Sequence, residues 1–157
     1  DIFSAIYNTQ SLPVYEELMK LINKLKLQNS ISINVKYLSD EETLNNLSNY
    51  DLTIFPYQKS NESSSAAVRH GLASLRPVLV TPLPIFDDVS DFVHYLPGTT
   101  PLDISEGILQ WYKKNDKNLK RNRNNLHSNN YFNTLNRIRF SKLAFRLTSI
   151  IQSLEMN

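Results

Sequence analysis

Short apolar runs recur along the chain at the length of β-strands, and polar or helical stretches separate them. Most of these runs are rich in β-branched and aromatic residues, which favour strands. The run at residues 31–37 alternates apolar with polar side chains, as expected for a strand with one buried face. The predicted strands are Ile2–Tyr7, 31–37, Leu52–Pro56, Val78–Thr81 and a small final strand within Phe92–Leu96.

Between the strands, apolar residues recur at spacings of three and four, which predicts helices with one buried face. A serine or an acidic residue stands near the start of each such segment and can cap the helix. The predicted helix starts are Ser11, Ser39 with Glu42 in a capping box, Ser63, and Asp103 or Ser105. A last long helix is predicted from the apolar residues between Phe140 and Leu154.

Strands that alternate with helices predict an α/β fold with a doubly wound parallel sheet, Rossmann-like in arrangement. The 157 residues, 41% of them hydrophobic and 20% charged, are enough for one domain with its own core. We assign residues 1–130 to this domain and residues 131–157 to a C-terminal helix that packs back on it.

The loop after the third predicted strand carries an acidic residue at the mouth of a helix. Glu62 is followed by Ser63, Ser64 and Ser65, and the helix would present unpaired backbone N–H groups and the positive end of its dipole. Such a helix start suits a phosphate group or sugar hydroxyls. The same residue types are ordinary helix caps, so this chemistry alone leaves both binding and capping open.

Other polar residues also follow predicted strands. In doubly wound sheets, ligands bind beyond the carboxyl ends of the strands. Asn8 and Thr9 follow the first strand, Leu38 and Ser39 follow the second, and the loop at residues 57–65 follows the third. We therefore expect these residues to share one rim of the sheet.

The segment from this third strand to Pro77-Val78 resembles the signature of the retaining glycosyltransferase family 4, which has the GT-B fold. In that signature, a strand ending in proline leads to a glutamate, seven residues, a second glutamate, a helix of small residues and a Pro-Val strand. Glu62 takes the first glutamate position, His70 stands at the second, and Pro77-Val78 falls at the matching distance. Residues 62–86 also resemble glycosyltransferases of bacterial surface-polysaccharide clusters.

The resemblance implies that the chain is the nucleotide-sugar-binding C-terminal half of a hexosyltransferase that needs no metal or other cofactor. Glu62 would be the catalytic residue, which holds hydroxyls of the donor sugar. The implied donor-binding residues are Ser63, Ser64, Ser65, His70, Lys59, Asn8 and Thr9. A solvated loop position is the alternative for Lys59.

The same resemblance implies several partners and a location. The partners are the nucleotide-sugar donor, a saccharide or lipid-linked acceptor, and the N-terminal domain of a GT-B enzyme. The location is the cytoplasm, at or near the inner face of the membrane, where a lipid-linked acceptor allows peripheral membrane contact.

Two features of the family pattern do not appear in this sequence: an additional βα unit with an arginine and a lysine for the diphosphate, and the acceptor-binding domain. We therefore expect the chain alone to show no transferase turnover. An alternative function is a GT-B-like interaction or assembly domain that has lost donor binding, which His70 favours and Glu62 with its serines opposes. A third interpretation is another doubly wound domain, such as a phosphate-binding regulator.

The remaining chemistry-bearing residues have structural interpretations. We predict that Asp87-Asp88 lie at a helix start and bind no metal, and that the basic stretch Lys113–Arg123 is a solvated helical face. A formal charge of +2 is too small to argue for nucleic acid. His94 and His127 have no nearby sequence partners for a catalytic triad. The sequence contains no cysteine, which excludes disulfides and thiolate metal sites.

Overall fold

The computed structural model describes residues 1–4, 11–121, 144–145, 147–149 and 151–152, with the side chains of its longest helix as far as Asn115. These residues form an α/β fold with two small parallel sheets, which confirms the predicted class. In chain order, the elements are β1 Ile2–Phe3, α1 Ser11–Lys24, β2 Ile33–Asn34, α2 Asp40–Ser48, β3 Thr53–Phe55, α3 Ala66–Ala73, β4 Val78–Val80, a 3₁₀ segment Pro84–Phe92, β5 His94–Tyr95 and α4 Pro101–Arg121. The chain divides into two compact units, Asp1–Glu41 and Glu42–Asn157.

In the first unit, β1 pairs with β2 in parallel, with Ile2 opposite Ile33. The strand predicted at 31–37 is shorter in the structure, because the Asn34 side chain accepts a hydrogen bond from the Lys36 backbone N–H at 3.0 Å. This local bond turns the backbone away from the ladder. The helix α1 buries Ile22 and borders an open cavity of about 200 Å³, lined by Tyr15, Met19, Ile22, Gln28, Ile31, Ser32 and Ile33.

The end of α1 is closed by a left-handed residue, Lys26, whose φ is 57°. The Leu27 N–H donates to the Ile22 carbonyl at 3.0 Å, and the Lys26 N–H donates to the Asn23 carbonyl at 3.1 Å. This pair of bonds is the Schellman arrangement, which satisfies carbonyls that the helix itself leaves open.

In the second unit, β4 lies between β3 and β5, and all three strands are parallel. All three β4 residues are apolar and buried, as expected for the central strand of a parallel sheet. The parallel pairing confirms the parallel strands predicted for this part of the chain, and β5 lies within the small final strand predicted at Phe92–Leu96.

The core of this unit lies between the sheet, α3 and the 3₁₀ segment. Its buried residues are Val68, Leu72, Val78, Val80, Ile85, Phe86, Val89 and Val93. The helix α3 approaches β3 closely at Gly71, where an added Cβ would lie 2.7 Å from Cε2 of Phe55 and 3.2 Å from Oγ1 of Thr53. Glycine, which has no Cβ, therefore lets α3 lie this close to β3.

The helix α4 begins with a capping box that the sequence interpretation missed. Thr100 Oγ1 accepts from the Asp103 N–H at 3.2 Å, and the Asp103 carboxylate accepts from the Thr100 N–H at 3.1 Å. Thr100 is thus the cap and Asp103 is the third helical residue, so the prediction of Asp103 or Ser105 as the cap was wrong. Gly107 places α4 directly against Leu96 and Pro97.

Residues 144–145, 147–149 and 151–152 are all that is described of the predicted last helix, and all of them are helical. Its packing against the domain therefore stays a prediction. Among the described residues, no helix is both long and apolar enough to span a membrane.

Candidate functional site

The carboxyl ends of β3, β4 and β5 meet at one edge of the second unit's sheet, where the loop at residues 57–65 leaves β3. Thr81, the first residue after β4, is completely buried and donates its hydroxyl to the Tyr57 carbonyl at 2.6 Å. This bond fixes the start of the loop to the end of the neighbouring strand. The edge is therefore a well-defined base for the polar residues that follow.

The Tyr57 side chain joins the two ends of the same loop. Its ring lies against Phe86, with the ring centroids 5.3 Å apart and the planes tilted by 51°. Its hydroxyl lies 3.3 Å from Oγ of Ser65, within hydrogen-bond distance. The loop from Tyr57 to Ser65 is thus closed on itself by one side chain that also contacts the core.

Ser65 caps α3. Its buried hydroxyl oxygen accepts from the Val68 N–H at 3.2 Å, and the helix begins at Ala66. The prediction of a start near Ser63 was wrong, because only the third serine of the run is buried beside Tyr57. Ser63 and Ser64 are exposed residues of the loop, and the Ser65 hydroxyl caps the first turn of α3.

Glu62 lies in the exposed part of this loop, and its backbone N–H donates to Oγ of Ser60 at 3.2 Å. Lys59 is exposed in the same loop. The loop therefore offers a carboxylate and an ammonium group to solvent between two anchored ends. A carboxylate in such a place can accept hydrogen bonds from hydroxyl groups of a ligand.

His70 lies in α3 and is half-buried. Its carbonyl accepts from the Ser74 N–H at 3.0 Å, which belongs to the closing turn of the helix. Asn8 and Thr9 lie outside the described residues, so the predicted rim is described only for the loop at 57–65 and, in the first unit, for Leu38 and Ser39.

An ion pair beside the α3 entrance was not predicted from the sequence. Arg69 donates from Nη1 to the Ser65 carbonyl at 2.8 Å, and its Nη2 pairs with Asp88 of the 3₁₀ segment. The two residues are nineteen positions apart, and no periodic pattern connects them. Asp88 therefore neutralises a cation next to the loop, a role different from the predicted one at a helix start.

His94 of β5 lies near the positive charge of Lys114. Burial lowers the pKa of this imidazole, and the positive charge of Lys114 lowers it further. The ring lies beside Trp111 of α4, with centroids 6.3 Å apart. The Trp111 indole N–H is buried, and none of the described residues accepts a hydrogen bond from it.

In the described part of the chain, no group of three or more His, Asp or Glu side chains could hold a metal ion.

Asp87 lies in the first turn of the 3₁₀ segment, beside Asp88. Burial raises the pKa of Tyr95, and the carboxylates of Asp87 and Asp88 raise it further. The Tyr95 hydroxyl donates to the Phe86 carbonyl at 3.2 Å. His127 lies outside the described residues.

The loop at residues 57–65 thus combines accessible polar side chains with a fixed frame, and it is the candidate site of this protein. Comparisons of the chain with protein-family models, curated proteins and solved structures found no match.

Proposed function

We propose that this chain is the donor-binding domain of a retaining glycosyltransferase, which moves a sugar from a nucleotide-sugar to a saccharide or lipid-linked acceptor. The observation that carries the proposal is an exposed Glu62 on a loop whose two ends are held by Tyr57, directly beyond a parallel strand. A doubly wound, Rossmann-like sheet is part of the proposal, supported by parallel strands joined through helices.

The proposed reaction breaks the bond between the anomeric carbon and the diphosphate oxygen, and forms a bond from that carbon to the acceptor oxygen on the same face. The proton of the acceptor hydroxyl passes to the leaving diphosphate. Negative charge grows on the leaving diphosphate, so the site must supply N–H groups or cations there. Backbone N–H groups of Ser63–Ser65 and the Lys59 ammonium are proposed for this role. Glu62 accepts hydrogen bonds from hydroxyls of the donor sugar and so orients the anomeric carbon.

His70 is proposed to bind the ribose of the nucleotide. A neutral imidazole offers one donor and one acceptor, whereas a carboxylate can accept from two ribose hydroxyls at once. We therefore expect weaker discrimination between ribose and deoxyribose than a glutamate at this position would give.

Calorimetric titration with UDP, GDP and their sugar conjugates tests the proposal. We expect saturable binding of one of them, and a loss of about tenfold or more in affinity for Glu62→Ala or His70→Ala, because each removes hydrogen bonds to a buried ligand hydroxyl. Glu106→Ala is the matched control, since Glu106 is an exposed glutamate of α4. Absence of saturable binding, or equal binding by all variants, would contradict the proposal.

The alternative function is an interaction or assembly domain that has lost donor binding. His70 favours it, because this residue stands where the glycosyltransferase signature has a carboxylate. The same titration distinguishes the two functions, since the interaction domain binds none of the nucleotides.

A further inference from the structure

The open cavity in the first unit is bordered by α1, by the turn that follows it and by the segment that leads into β2. Its volume is about 200 Å³, and every residue that lines it belongs to the described part of this unit. An apolar cavity of about 150 Å³ is large enough to hold benzene, so this one has room for a ligand with an aromatic ring. Its opening gives such a ligand a path from solvent.

No charged side chain lines the cavity. Ile22 on α1 is buried, and Ile31 and Ile33 on the opposite wall are half-buried. An ion that entered would lose hydration and meet no opposite charge in return, which is costly. The lining therefore selects a neutral ligand.

Two polarisable side chains complete the α1 wall. Tyr15 and Met19 are four residues apart on the helix, so they lie on one face, and both line the cavity. Aromatic pairs and contacts between a thioether sulfur and a ring are favourable beyond the apolar area that they bury. This wall therefore favours an aromatic ring over an aliphatic group of similar size.

Gln28, in the turn after α1, supplies a polar group at the cavity. Its amide can donate and accept, and it makes no hydrogen bond to another described residue. The other polar residue of the lining, Ser32, already donates its hydroxyl to the Asp1 carboxylate. Gln28 is therefore the side chain that can bond a polar substituent on the ring.

We infer that the cavity between α1 and β2, lined by Tyr15, Met19, Ile22, Gln28 and Ile33, binds a small neutral aromatic molecule that carries a hydroxyl or N–H group. The ring packs against the apolar side chains, and its polar group bonds the Gln28 amide. The inference does not depend on glycosyl transfer, since the cavity lies in the first unit and the loop at residues 57–65 lies in the second. Binding here is measured without any nucleotide.

Titration of the full chain with phenol, followed by NMR of ¹³C-labelled methionine methyl groups, tests the inference. The chain has two methionines, so the Met19 signal is assigned by substitution. We expect this signal to shift in a saturable way with a Kd of about 1 mM or tighter, in the range open to a ligand of this size. Benzoate, which has a similar ring and a negative charge, is expected to bind at least tenfold more weakly.

Two variants separate the volume of the cavity from its polar group. Ile31→Phe places a ring in the cavity and is expected to lower the affinity for phenol by about tenfold or more. Gln28→Leu keeps a side chain of similar size and is expected to lower that affinity by about fivefold, because one hydrogen bond is lost, while the affinity for toluene stays the same or rises. Gln110→Leu is the matched control at an exposed position of α4 and is expected to change neither affinity.

Urea unfolding of each variant shows whether the fold is retained. The comparison of phenol with toluene in Gln28→Leu tests the inference even if Ile31→Phe does not fold, because each variant is compared with itself. The inference is overturned by a wild-type chain in which phenol gives no saturable shift at Met19, or by benzoate that binds as tightly as phenol. It is also overturned by a folded Gln28→Leu variant that binds phenol like the wild type.

Discussion

Gly71 of α3 and Phe55 of β3 are so close that a methyl group on Gly71 would lie 2.7 Å from one ring carbon and 3.0 Å from the next. A real Cβ does not approach another carbon to this distance, so the two residues determine how near the helix can lie to the sheet. The same helix carries Ser65 at its start and His70 in its middle. The contact therefore also positions the candidate site.

Gly71→Ala is expected to destabilise the protein by about 1–3 kcal/mol, because the new methyl group must displace the Phe55 ring or the helix. In an open helix the same change would stabilise by about 1 kcal/mol through helix propensity, so the sign of the effect is diagnostic. Urea unfolding measures it. The double variant Phe55→Leu/Gly71→Ala serves as the rescue, and a cost equal to the sum of the single changes would contradict the proposed contact.

Lys26→Gly is expected to stabilise the protein by about 0.5–1 kcal/mol, since a left-handed backbone is strained for lysine and not for glycine. Lys26 is exposed, so its side chain contributes little packing. Lys20→Gly is the matched control within α1 and is expected to cost about 1 kcal/mol. Equal destabilisation by both changes, measured by urea unfolding, would rule out the strain at Lys26.

Thr100→Ala is expected to cost about 1 kcal/mol by removing the cap of α4. Ser105→Ala removes a similar hydroxyl that bonds only the Leu102 carbonyl inside the helix, and we expect little change. Thermal unfolding followed by circular dichroism compares the two. A larger cost for Ser105→Ala would restore the cap predicted from the sequence.

The ion pair between Arg69 and Asp88 is partly exposed, with side-chain accessibilities of 40% and 38%. A double-mutant cycle with Arg69→Ala and Asp88→Asn is expected to give a coupling energy of about 0.5 kcal/mol that decreases with salt. Arg69→Ala is expected to cost more than Asp88→Asn, because it also removes the bond to the Ser65 carbonyl. Equal costs would show that this bond contributes nothing.

His94 is expected to make stability dependent on pH. Its pKa is lowered in the folded protein, so the unfolded chain binds a proton more readily. Stability is then full above the ordinary histidine pKa of about 6.5 and decreases as the pH falls through it toward the folded pKa. His94→Gln is expected to flatten this slope, and Lys114→Gln to reduce it, in urea unfolding at several pH values. An unchanged slope in both would contradict the assignment.

The sequence predicted the parts of the fold that depend on local pattern. The start of α1 at Ser11 and the parallel pairing of β3 with β4 follow from apolar spacing and strand order. The start of α3 was placed too early because Ser63, Ser64 and Ser65 are equally good caps by residue type. Only the tertiary contact with Tyr57 selects Ser65.

The sequence also predicted only a part of the candidate site. Glu62 and Lys59 were expected on a loop after a strand, and the structure describes them there as exposed residues. The pairing of Arg69 with Asp88 could not be predicted, because it depends on how the 3₁₀ segment folds back beside α3.

The chain has three glycines, and none of them has a positive φ, whereas Lys26 and Leu75 occupy left-handed positions with φ values of 57° and 60°. Gly71 and Gly107 instead lie where a helix meets the side chains of another segment, Phe55 and Thr53 for Gly71 and Leu96 and Pro97 for Gly107. A library of variants should therefore tolerate glycine at the two helix ends and reject every larger residue at the two crossing points. Engineering for thermal endurance can begin at Lys26, whose side chain is exposed.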